Sequence, residues 1–90
     1  MEFEWDDAKA RSNLSKHGVS FETAAQIFKR DRLSLKVDWV ENELRETDIG
    51  IADNLVILVV AHTDRNGVVR IISARRATRN ERRLFDDHYS

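Results

Sequence analysis

The chain has no cysteine, no proline and only three glycines in 90 residues. Without cysteine, neither a disulfide nor a thiolate metal site can form. With no proline and so little glycine, a flexible linker or low-complexity tail is excluded. There is also no long hydrophobic run: the longest, Leu55 to Ala61, is far too short to span a bilayer. The opening Met1-Glu2-Phe3-Glu4-Trp5-Asp6 lacks the basic end and apolar core of a signal peptide. A cytoplasmic setting without membrane contact is therefore expected. A charge of one sign is missing too, since 15 basic residues meet 16 acidic ones, for a formal net of -1. Any anion-binding surface must therefore be local.

What is present fits one small globular domain, residues 1–90, with 41% hydrophobic and 34% charged residues. Phe3-Glu4-Trp5 alternates in polarity and predicts a short first strand. Asp6 offers an N-cap and Asp7 a carboxylate at the positive end of a helix dipole. The helix, Ala8 to His17, would place Ala10, Leu14 and His17 on one stripe and stop at Gly18. Ser20 caps a second helix, in which Phe21, Ala24, Ala25 and Phe28 follow core spacing. From Leu33 the period falls to two. Leu33, Leu35, Val37 and Trp39 alternate with polar residues, and that continued alternation predicts a buried Trp39. Glu41 to Glu46 reads as a loop or a frayed strand start, and Thr47 to Ile51 alternates again. Leu55 to Val60, apolar on both faces, predicts a central strand covered on both sides. Asn66-Gly67 supplies a hairpin turn before a return strand, Val68 to Ala74. Thr78-Arg79-Asn80-Glu81 is a capping box that opens a last helix toward His88, with Leu84 and Phe85 facing the sheet. Asp86 is spaced to pair with Arg82 or Arg83. The class is α+β, in the order β-α-α-β-β-β-β-α, with an antiparallel sheet packed by helices.

Charge is distributed unevenly along this pattern. Between Val68 and Arg83, six of sixteen residues are arginine and the only acid is Glu81. From Asp38 to Asp53, six acids face one arginine. Guanidinium groups stay charged, and their planar fork matches phosphate oxygens. Arg75, Arg76 and Arg79 sit where a strand ends and a helix begins, where first-turn N–H groups add affinity for anions. RNA phosphate is the leading candidate for the anion. Arg75 and Arg79 are assigned to stabilising the phosphate and its transition state. Arg70 falls on the opposite strand face from Arg75 and joins it only if the strand twists or bulges. His62 could transfer protons near neutral pH, or it could be a hydrogen-bonded structural histidine. Arg76, Arg82, Arg83, Lys16 and His17 would extend the RNA contact, although Lys16-His17-Gly18 also reads as an ordinary helix stop. The three histidines are far apart and lack i, i+4 spacing, so neither a metal nor another cofactor is expected.

Phe3-Glu4-Trp5-Asp6, Lys9, Asn13-Leu14 and Lys16 to Phe21 resemble the opening of BrnT-type toxins. His62-Thr63 and the run Arg70 to Arg82 are similar to their closing motif, whereas Asp31 to Asn54 carries no family signature. The resemblance implies a RelE-like ribonuclease fold and a type II toxin that inhibits growth by cutting RNA. It also implies a ribbon-helix-helix antitoxin, BrnA, which neutralises the toxin and lets the complex bind operator DNA. A metal-independent endoribonuclease is the resulting expectation. The alternatives are a non-catalytic module that binds nucleic acid or a partner, and a gyrase-poisoning relative of the same fold.

Overall fold

A computed structural model describes residues 1–90. The elements are β1 (Glu2–Glu4), α1 (Asp7–His17), α2 (Phe21–Ala25), a 3-10 turn (Gln26–Lys29), β2 (Leu33–Val40), β3 (Glu43–Ile51), β4 (Ile57–Arg65), β5 (Val68–Arg76) and α3 (Arg79–Tyr89). The expected α+β order is observed. The five strands lie in the order β1-β5-β4-β3-β2. β2 to β5 pair antiparallel as expected, and β1 adds a parallel pairing along the outer edge of β5, which makes the sheet mixed. β4 is central, and Ile57 to Val60 are covered from both sides, but Leu55 falls in the preceding turn at a φ of 69° and is 78% exposed. No helix is long and apolar enough to cross a membrane.

Caps set the helix ends. The Asp6 carboxylate accepts from Ala8 N–H at 2.8 Å and Lys9 N–H at 3.3 Å, and Gly18 closes α1 at a φ of +69°. The stripe expected on α1 is turned, however: Leu14 is 51% exposed and Asn13 is buried instead. Asn13 faces the sheet because its amide meets backbone groups there. Its Nδ2 donates to Val19 C=O at 3.0 Å and Ala74 C=O at 2.8 Å, and its Oδ1 accepts from Ala74 N–H at 3.1 Å. The second helix tightens after Ala25 into the 3-10 turn, which drives Ile27 onto the sheet over Gly50. A Cβ at Gly50 would lie 2.6 Å from Ile27 Cβ, so no other residue admits this approach.

The core lies in two clusters, one on each face of the sheet. Val19, Phe21, Ala24 and Ile27 pack on Leu58, Val60, Val69, Ile71 and Ala74. On the other face Phe85 and Ala77 pack on Ile49 and Val59, with Leu33 and Leu35 beside them. Leu84 is not part of this contact: it is 53% exposed. Asp86 forms no ion pair with Arg82 or Arg83, and the Arg82 guanidinium donates to Ala77 C=O instead. The Tyr89 hydroxyl donates to Arg32 C=O, tying the end of α3 to the start of β2.

Two one-residue bulges decide which side chains share a face. In β2 the register shifts between Ser34 and Lys36, leaving Leu35 extra. Leu33 and Leu35 stay over the second cluster, but Val37 and Trp39 turn to the opposite face beyond the reach of α2 and the 3-10 turn. Trp39 is therefore 75% exposed rather than core. In β5, His62 pairs with Ile71 and Ala61 with Ser73, so Ile72 is extra. The loop read at Glu41–Glu46 is shorter than expected: Glu41 and Asn42 form a two-residue turn at φ of 50° and 64°, and β3 begins at Glu43.

Candidate functional site

The bulge at Ile72 places Arg70 and Arg75 on one face. Side chains directly opposite in a ladder project to the same side, so the registers can be read as rows. One row crosses the whole sheet: Asp38, Arg45, Thr63, Arg70 and Glu4 are successive partners from β2 to β1. The next row gives a floor of small side chains, Thr47, Ala61 and Ser73, with Lys36 at its β2 end paired to Asp38. A further row, Ile49, Val59 and Arg75, runs under α3. The helix covers this row and the Ile51, Ile57 and Ala77 row beyond it, and Ser73 stays open to solvent. The result is a shallow trough about 13 Å across, the rise of four residue steps along β4 from Val59 to Thr63. Arg45 and Arg70 stand along one wall. Arg75, gripped by Glu81 in the first turn of α3, forms the other, and Arg79 is exposed at the start of that helix.

Carboxylates within the chain occupy part of this charge. Arg70 Nη1 donates to Glu4 Oε2 at 2.6 Å, and Arg65 Nε to Glu43 Oε1 at 2.7 Å. Arg75 grips Glu81 with two parallel bonds, 2.7 and 2.9 Å long. The expected group of uncompensated arginines thus separates into two kinds. Arg70 and Arg75 are held by acids, while Arg76, Arg79, Arg82 and Arg83, and Arg45 outside that group, have no carboxylate partner. Arg45 Nε is also buried without any hydrogen-bond partner.

Glu81 is the electrostatic hinge of the α3 wall. The Arg75 hydrogen bond, with further help from the Thr78 backbone N–H, holds its carboxyl down at about 2, against an ordinary 4.5. A depressed carboxyl pKa adds stability that is complete above about 4.5 and is lost as pH falls toward 2. Water screens the pair, because Arg75 is 41% exposed, so the contribution is about 1–2 kcal/mol. Thermal melts between pH 5 and pH 2.5 should show wild type losing this increment, with Glu81→Gln lower at pH 5 and converging on wild type in acid.

The structure does not bring His62 to this trough. Its alternation places it on the α2 side, 7% exposed, with Nε2 at 2.9 Å from Asp48 Oδ2 and the Phe28 ring edge-on at 4.9 Å. Of the two readings of His62, hydrogen-bonded structural histidine matches its surroundings. Burial pushes the Asp48 carboxyl up, but hydrogen bonds from His62 and Arg32 outweigh it and leave the pKa lowered. Arg76 is likewise across the sheet from Arg75, because adjacent strand residues alternate. It pairs with Leu58 and lines a depression with Leu14 and Gly18. Lys16 and His17, at the end of α1, are on that side as well. Arg82 and Arg83 are exposed on α3. Sequence reasoning missed Arg45, Lys36, Thr47, Thr63 and Ser73. The signal for Arg45 was available, since it continues the alternation of Thr47 and Ile49.

Glu46, Asp48 and His62 each place one ligand atom within 4.8 Å of the others. They come from neighbouring strands, so linear spacing could not reveal them.

Three comparisons bear on this geometry. Residues 5–81 match the family described as ribonuclease toxin, BrnT, of type II toxin–antitoxin system. The fold is similar to the crystal structure of the Brucella abortus ribonuclease toxin, BrnT, with a TM-score of 0.65 and 26% sequence identity, over 88% of this chain and 99% of that one. No curated protein matches the chain.

Proposed function

The chain belongs to the family of BrnT ribonuclease toxins of type II toxin–antitoxin systems, and from that premise we propose that it cuts RNA in the trough, without a metal. The supporting observation is that Arg45 and Arg70 share a sheet face with Arg75 across a floor of small side chains, with Arg79 at the start of the helix that follows Arg75. The RNA backbone lies along the floor with its phosphates between the guanidiniums. The 2′-oxygen attacks the adjacent phosphorus, a bond forms between them, and the bond from phosphorus to the 5′-oxygen breaks. One product ends in a 2′,3′-cyclic phosphate and the other in a 5′-hydroxyl. Arg79 and Arg75 stabilise charge on the pentacoordinate phosphorus, while Arg45 and Arg70 hold the flanking backbone.

Each carboxylate bordering the trough is engaged by a cation, and the buried imidazole is on the other face. Water therefore takes the 2′-hydroxyl proton and protonates the departing 5′-oxygen. This reading predicts cleavage that persists in EDTA. It also predicts a single-turnover rate that rises steadily with pH, with no break near the histidine range. Mapping RNA ends and measuring rates from pH 6 to 9 tests both. Loss of cleavage in EDTA at a temperature where the protein stays folded would refute the metal-free route. Salt-sensitive RNA binding without products would leave only a binding module.

The partner in this reading is a BrnA-like ribbon-helix-helix antitoxin in the cytoplasm, and the complex binds operator DNA. An acidic antitoxin segment over the trough would supply the carboxylates that Arg79 and Arg45 lack, and would exclude RNA from the same place.

A further inference from the structure

The opposite face of the sheet carries a second group of side chains that the proposed reaction does not use. Glu46 and His62 are direct partners in the β3–β4 ladder, and Asp48 follows two residues later on the same face. Opposed side chains in such a pair start about 5 Å apart at Cβ. Their ends converge further, with His62 Nε2 at 2.9 Å from Asp48 Oδ2 and all three ligand atoms within 4.8 Å of one another. Donors around a first-row ion with bonds of about 2.0–2.2 Å are themselves roughly 3–4 Å apart. A small swing of the half-buried Glu46 carboxylate closes the set.

A second observation is independent of this clustering. Asp48 is 3% exposed, and its Oδ1 is buried with no hydrogen-bond partner. Its other oxygen takes Arg32 Nε at 3.0 Å as well as His62. Charge points the same way. Glu46 has no ion pair, Arg32 offsets one carboxylate, and Arg30 is committed to Asp53, so one negative charge remains. Glu46 and Asp48 open onto a surface depression shared with Arg30, Arg32 and Ser34, which gives an ion a way in.

The geometry points to a divalent transition-metal site, of the zinc or manganese class, with Glu46, Asp48 and His62 as ligands. One imidazole and two carboxylates suit these ions. The ion takes the unpartnered Asp48 oxygen and the His62 nitrogen, leaving Arg32 on the second Asp48 oxygen and against the Phe28 ring, where it sits at 4.4 Å. Water completes the shell. The site joins β3 to β4 beneath the 3-10 turn and faces away from the trough, so its role is structural. It goes beyond the proposed reaction and does not depend on it.

Thermal melts and titration calorimetry of metal-stripped full chain with zinc chloride and manganese chloride test this. One ion per chain and a rise in melting temperature of about 5 °C or more are expected at saturation. Glu46→Gln, at a half-buried position that leaves the core intact, should lose the shift. A double variant, His17→Ala with His88→Ala, should keep it, since those imidazoles lie elsewhere. No binding of either ion to wild type, or an equal shift in Glu46→Gln, would overturn the proposal.

Discussion

Replacing Arg79 by alanine is expected to slow RNA cleavage by about 10²–10³ while moving the melting temperature by no more than about 2 °C. Arg79 opens α3 beside the free first-turn N–H groups and has no carboxylate to lose, so its removal disturbs nothing within the chain. Arg75→Ala should slow cleavage comparably, but at a visible structural cost. It leaves Glu81, a capping-box member, without its bidentate partner. A loss of about 1–2 kcal/mol corresponds to roughly 5–15 °C in a domain of this size. Arg76→Ala serves as the control, since its side chain projects across the sheet, and its rate should stay within about twofold of wild type. Initial rates on a defined RNA, with melts on the same preparations, separate the cases. A normal rate for Arg79→Ala would remove the α3 wall from the mechanism.

The largest effect on folding is expected at Asn13. Its amide satisfies Val19 C=O and both backbone groups of Ala74, joining α1 to β5 through groups that water cannot reach. Asn13→Ala leaves those groups unpartnered at about 1–3 kcal/mol each, reduced where the strand relaxes. A net loss of about 3 kcal/mol, or some 15 °C in melting temperature, is the expected result. Asn13→Asp is expected to be worse, because it keeps the acceptor for Ala74 N–H but sets a negative charge against two carbonyls. Denaturant melts of both variants check the order, and an Asn13→Ala protein as stable as wild type would show that α1 is held by its apolar contacts alone.

Features that depend on neighbours in the chain were legible in the sequence. Asp6, Ser20 and the Thr78–Glu81 box cap their helices as read, Gly18 ends α1, and Asn66-Gly67 turns β4 into β5. The features that failed depend on the phase between strands. A bulge adds one residue, and a side-chain period of two turns that addition into a change of face. Leu35 did this to Trp39, and Ile72 did the reverse for Arg70, bringing it round to join Arg75. No local pattern marks either bulge. The pairing of Arg75 with Glu81 was hidden for a related reason: Glu81 reads as a cap, and its second contact exists only because β5 ends beneath the turn that α3 begins. Asn13 was misplaced because hydrophobic spacing gives no weight to an amide seeking backbone.

The exposure of Trp39 has a practical consequence. The chain has two indoles, and they sit in unlike surroundings. Trp5 packs edge-on against Phe21 at 5.9 Å, whereas Trp39 stands in solvent opposite Leu44. Intrinsic fluorescence should therefore contain a red-shifted, readily quenched component from the β2–β3 hairpin and a more shielded component from Trp5, half-buried against the core. Whatever settles on that hairpin would blue-shift the first component and leave the second unchanged, giving an optical signal of occupancy that needs no label.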